Sequence, residues 1–123
     1  MRTYLTIAIT AVMGLGTMSA YAEEAKLKTV AALHQEKSTL AGKEVRIQGK
    51  VVKVNNGIMD RNFLHVQDGT GDQKTNDITV TSKQTANVGD QVLVKGRVLL
   101  NKDFGAGYAY PLLLEEASVT VKK

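Results

Sequence analysis

Glu44-Val45-Arg46-Ile47-Gln48-Gly49-Lys50-Val51-Val52-Lys53-Val54 is the stretch that decides the fold. Val45 and Ile47 alternate with Glu44, Arg46 and Gln48, the period of two expected of a strand with one buried face. Gly49 interrupts, and the apolar positions resume out of phase at the adjacent pair Val51-Val52. A glycine followed by a phase slip inside one long strand predicts a β-bulge, which lets a strand curl around a barrel. Later in the chain, Gly89-Asp90-Gln91-Val92-Leu93-Val94-Lys95-Gly96-Arg97-Val98 repeats a Gly-x-Val strand in matched phase. Further strand candidates are Phe63 to Gln67, Asp77 to Thr81, Gln91 to Leu100 and Tyr110 to Val121. Turn-forming clusters separate them: Asn55-Asn56-Gly57, Asp68-Gly69-Thr70-Gly71-Asp72, Val88-Gly89-Asp90 and Gly105-Ala106-Gly107. This is an all-β pattern with a short N-terminal helix. It predicts a five-stranded Greek-key barrel of the oligonucleotide/oligosaccharide-binding (OB) type, with an SH3-like barrel as the competing pattern. The connection Ser82 to Val88 is too short for more than a turn of the helix often found there.

Working back from that strand, Lys26 to Glu36 places Leu27, Val30, Ala31 and His34 at helical spacing, so a short amphipathic helix is expected before Leu40-Ala41-Gly42-Lys43 turns the chain. At the start, Met1-Arg2-Thr3-Tyr4 is a basic lead. Leu5 to Gly16 is an apolar run of signal-peptide length, short of a membrane span. Ala20-Tyr21-Ala22 supplies the small-x-small cleavage site. The expected organisation is residues 1–22 signal peptide, 23–42 helical lead-in and 43–123 barrel, exported to a bacterial periplasm and monomeric. No membrane span is expected after cleavage.

The chain has no cysteine, which excludes disulfides, thiolate metal sites, cysteine nucleophiles and haem attached through Cys-x-x-Cys-His. A net charge of +4 is too small to make nucleic acid the default partner. Glu115 and Glu116 are strand neighbours that face opposite ways, and no Ser-His-Asp pattern is present, so no catalytic activity is expected. Asp68-x-Thr70-x-Asp72 lacks the closing Glu of a calcium loop and reads as a hairpin turn.

Candidate site residues follow from the same alternation. With Leu64 and Val66 facing the core, Phe63 and His65 face outward, as do Thr79 and Thr81 on the next strand. The flanking loops are expected at Asn55 to Asn62 and Asn101 to Ala109, and they carry or adjoin Met59, Phe104, Tyr108 and Tyr110. Three of the six aromatic residues thus fall between Phe104 and Tyr110. Such rings serve either as ordinary packing over a barrel end or as a binding face, here formed by Met59, Phe63, His65, Thr79, Phe104, Tyr108 and Tyr110. Three ligand classes fit. Met59, the one methionine left after the signal, and His65 are a thioether and an imidazole suited to Cu(I). His65 with nearby aromatics would suit haem. Aromatics with Lys50, Lys53, Arg61, Lys95, Arg97 and Lys102 would suit single-stranded nucleic acid, which export disfavours. A periplasmic protein partner or another small ligand is the remaining class.

Two segments, Gly57 to Gly71 (GIMDRNFLHVQDGTG) and Asp103-Phe104-Gly105-Ala106-Gly107-Tyr108, resemble the small exported OB-fold proteins of the NrfJ type, associated with cytochrome c nitrite reductase clusters. The resemblance spans roughly Leu33 to Val121, with Phe63 where a Trp is usual. It implies a periplasmic OB domain that carries or presents a ligand, or docks a partner, in redox or metal-protein maturation. It implies no settled activity.

Overall fold

The computed structural model describes residues 25–123; the expected signal segment and its cleavage site lie outside the described residues. The elements are β1 (Lys26–Leu27), α1 (Val30–Gln35), α2 (Lys37–Leu40), β2 (Glu44–Ile58), β3 (Arg61–Gln67), β4 (Ile78–Ser82), β5 (Gln91–Asp103) and β6 (Ala109–Val121). Neighbours run β1-β2-β3-β4-β6-β5, and β5 pairs back onto β2, so five strands close into a barrel. All pairings around the ring are antiparallel except β4 with β6, which is parallel. This is the five-stranded OB barrel expected from the sequence. The two-residue β1, which lies parallel to β2, was not foreseen.

The long strand β2 serves two neighbours in turn. Glu44 to Lys50 pair with β5, and Lys50 to Ile58 pair with β3. The strand changes partner next to Gly49, where a Cβ would stand 2.6 Å from the Gln67 carbonyl oxygen and 2.8 Å from Val66 Cγ1. Gly49 is therefore required for the close approach of β3. The bulge itself lies between Val51 and Lys53, at the phase slip. Gly96 marks the matching irregularity on β5, with a Cβ position 3.0 Å from that of Ala117.

Inward-facing side chains form one aliphatic core: Val45, Ile47 and Val51 of β2, Leu64 and Val66 of β3, Ile78 and Val80 of β4, with Val92, Val94, Val98, Leu112 and Leu114 completing it. Val30, Leu33 and Leu40 of the lead-in belong to the same core. The expected single helix is broken into α1 and α2. Leu27, expected on its buried face, lies on β1 and is 51% exposed, while Leu33 is buried in its place. The short helix is held from two sides. Thr29 Oγ1 accepts from Ala32 N at 3.0 Å, while Asp68 Oδ2 accepts from Val30 N at 2.9 Å and Thr70 Oγ1 from Ala31 N at 3.0 Å. The Asp68-x-Thr70 stretch is thus a remote helix cap that satisfies the free amides of α1. Burial pushes the Asp68 carboxyl up, but the hydrogen bonds from Thr70 and Val30 outweigh it and hold the group below its ordinary value. Among the described residues no helix is long and apolar enough to cross a membrane.

Candidate functional site

Of the two expected flanking loops, the first is mostly strand and the second is strand at both ends. β2 runs on to Ile58 and β3 starts at Arg61, leaving Met59 and Asp60 as a two-residue turn with φ of 51° and 64°. Positive φ at both central residues matches the right-handed twist of the strands they join. The Asn56-Gly57 pair, which read as the turn, instead lies in an irregular stretch of β2, with Gly57 at φ +73° and its amide bonded to Asn62 Oδ1 at 2.9 Å. On the other side β5 continues to Asp103 and β6 begins at Ala109, so only 104–108 form the loop. Asn101, at φ 54°, falls out of the ladder between the pairs Leu100↔Leu112 and Lys102↔Tyr110, opposite Pro111, which has no amide to donate.

This hairpin tip packs onto Phe63. The Phe63 ring centroid lies 5.4 Å from that of Phe104, 5.5 Å from Tyr108 and 5.8 Å from Tyr110, and Phe104 and Tyr110 are 6.3 Å apart. These spacings and tilts suit aromatic pairs. Phe63 does face away from the aliphatic core, as alternation predicts, but it is fully buried. It is the floor of the cluster, whereas Phe104, Tyr108 and Tyr110 are half-buried and form its outer surface. Arg61 places its guanidinium carbon 4.7 Å from the Phe104 centroid, and Lys102 Nζ lies 5.4 Å from it. Both are within cation–π range. Burial, and to a lesser degree the neighbouring Tyr108, raise the Tyr110 phenol above its ordinary value, so it stays a neutral donor at physiological pH.

The threonines expected on an open face are also covered. Thr79 and Thr81 are buried, and the Thr81 hydroxyl has no hydrogen-bond partner. One oxygen of Glu115, outward-facing on β6, is likewise buried and unpartnered. Neither orphan was legible in the sequence, because an outward threonine on a barrel strand carries no sign of what covers it.

His65 belongs to a different cluster. Its Nδ1 donates to Asp77 Oδ1 at 2.9 Å, Gln67 Nε2 approaches Asp77 Oδ2 at 3.4 Å, and His34 Nε2 donates to the Asp77 carbonyl at 2.7 Å. Asp77 therefore ties both histidines of the described chain to the start of β4, joining α1 to the barrel. Burial raises the Asp77 carboxyl, but the hydrogen bond and charge of His65, with Gln67 and His34, bring it below its ordinary value of 3.8.

Met59 and His65, the expected metal pair, fall in different surroundings. Met59 sits 38% exposed at the β2–β3 turn, while His65 is four residues into β3, so the strand alone separates them by roughly 13 Å. His65 is engaged through Nδ1 by Asp77. Among the described residues no group of three or more His, Asp or Glu is placed to hold a metal. Of the seven expected site residues, the structure brings together Phe63, Phe104, Tyr108 and Tyr110. It adds Arg61 and Lys102, which the sequence presented only as two of several scattered cations.

Fold and site together define an OB barrel carrying an aromatic shelf. No protein-family model matches the chain, and comparison with curated proteins finds no match. Solved structures do match in fold. The chain is similar to the asparaginyl-tRNA synthetase of Entamoeba histolytica in complex with asparaginyl-adenylate, with a TM-score of 0.56 and 14% identity over 82% of this chain and 24% of that one. It is also similar to OBody AM3L09 bound to hen egg-white lysozyme, with a TM-score of 0.51 and 15% identity over 68% of this chain and 84% of that one. At these identities the likeness is one of fold.

Proposed function

We propose that this protein is an exported, non-catalytic OB-fold binding module that holds a ligand or partner on the shelf formed by Phe104, Tyr108 and Tyr110. The observation that carries the reading is the four-ring cluster: Phe63 fixes the shelf from below, so three half-exposed rings are held ready with little ordering left to undergo on binding. The signal segment and the NrfJ-type resemblance support a periplasmic setting in redox or metal-protein maturation. The OBody neighbour, whose barrel is bound to lysozyme, lends the fold a precedent for docking a protein. Capture of periplasmic partners on immobilised protein tests the reading. Tyr108→Ala and Phe104→Ala should each abolish capture while leaving the barrel folded, and capture unaffected by both substitutions would refute the shelf as the site.

A second reading, single-stranded nucleic acid, is favoured by Arg61 and Lys102 standing over the Phe104 ring. Stacked bases and backbone phosphates need rings and cations side by side, and each stacked base contributes roughly 1–3 kcal/mol. Titration with a short oligonucleotide should then show affinity falling steeply with added salt.

A further inference from the structure

Beside the shelf, the seam between β4 and β6 opens. The parallel ladder is irregular between Val80 and Ser82, where Glu116 on β6 adopts φ 52°. The break leaves a pocket of about 510 Å³ whose walls include Arg61, Thr81, Lys83, Gln84 and Glu116. Thr81 is 1% exposed, and its hydroxyl meets no partner in the protein. A buried hydroxyl left unpaired is destabilising, and an isosteric valine would avoid the cost, so the Thr81 hydroxyl calls for a partner, and Thr81 lines this pocket.

The other polar groups narrow that partner's chemistry. Ser82 Oγ already donates to the Ala117 carbonyl and accepts from Gln84 N, and Gln84 Oε1 accepts from Val119 N. Lys83 Nζ is steadied by the Asp60 carbonyl at 2.9 Å, with ammonium donors to spare. Arg61 both lines the pocket and stands over Phe104. Among the lining groups, two cations and one hydroxyl against the carboxylate of Glu116 suit an oxyanion, with the Glu115 carboxylate next to Thr81 at the break in the ladder but outside the lining. Because Arg61 borders the shelf as well, the oxyanion and a flat ring can belong to one molecule.

We propose that this pocket binds the phosphate monoester of a nucleotide whose base stacks on the aromatic shelf. The proposal rests on the shelf being a binding surface, and adds the ligand class and a second subsite. The phosphate could belong to a free mononucleotide or to the 5′ end of a strand.

Calorimetric titration of the full chain with adenosine monophosphate, adenosine, and a pentanucleotide with and without a 5′-phosphate tests it. The monophosphate should bind about tenfold tighter than adenosine, the gain expected of a charge-assisted contact. Thr81→Val should bring that ratio towards one without lowering the thermal midpoint, and Thr81→Ser should retain it. Arg61→Gln, which leaves Thr81 in place, should also reduce the ratio. A 5′-phosphate effect on the pentanucleotide equal to that on adenosine supports a strand end, and an effect confined to the monophosphate supports a free nucleotide. A ratio near one in the wild type, or one unchanged by Thr81→Val, overturns the pocket. Partner capture lost in Tyr108→Ala would leave the shelf standing in that case. Absence of nucleoside and strand binding overturns the pocket and the nucleic-acid reading together.

Discussion

The inner and outer faces of β3, β4 and β6 differ in material and in completeness. Inside, Leu64, Val66, Ile78, Val80, Leu112 and Leu114 fill the barrel with aliphatic side chains that ask for no hydrogen bonds. Outside, the same strands carry Phe63, Thr79, Thr81, Leu113 and Glu115; Phe63 and Leu113 are as fully buried as the core. Yet this outer layer contains the two unpartnered buried oxygens of the described chain and ends in three half-exposed rings. The inner layer is finished as packing, whereas the outer layer is stable but leaves polar and aromatic groups open. That surplus is what the proposed binding site rests on.

The largest effect should come from Phe63→Ala. If Phe63 is the buried floor of the shelf, its removal should destabilise the protein by roughly 3–5 kcal/mol, like a core aromatic. A urea-denaturation midpoint within error of wild type would mean that the hairpin does not cover it, and the two faces would no longer be comparable. Next, Gly49→Val should cost roughly 1–3 kcal/mol, because the new Cβ would collide with the Gln67 carbonyl and Val66. The same measurement checks it, and tolerance of valine would show that β3 does not approach β2 so closely.

Tyr108→Ala sharpens the comparison from the other side. A half-exposed ring resting on Phe63 should contribute under about 1.5 kcal/mol to stability through its aromatic pairing, well below Phe63, while governing partner capture. The smallest effect is at the Asp77 cluster. A carboxyl whose folded value lies below its unfolded value of 3.8 lends stability above that pH and loses it as pH falls through the folded value. Asp77→Asn should therefore narrow the difference between midpoints measured at pH 7 and pH 3. An unchanged difference would show that the His65 contact contributes nothing to stability.

Much of this was readable along the chain because it depends on local periodicity. Val45 and Ile47 alternate in the sequence just as they do in the barrel, and Val51-Val52 announced the bulge because an extra residue must shift the phase of everything after it. The outward direction of Phe63 and Thr81 followed from the same alternation. Their burial did not, since alternation gives the direction of a side chain and is silent about what lies over it. The turn at Met59-Asp60 was hidden for a related reason: Asn56-Gly57 carries the stronger local signal, but the pairing of β2 with β3 extends past it, and many ladder bonds outweigh one turn preference.

The amino-acid order by itself determined the five barrel strands, the barrel class and the concentration of aromatics between Phe104 and Tyr110. Only the tertiary structure decided that those rings bend back onto Phe63 and that Arg61 stands between shelf and pocket. The physical reason is distance along the chain. Contacts between residues tens of positions apart are set by how strands close and hairpins curl, and no short window of sequence contains both partners.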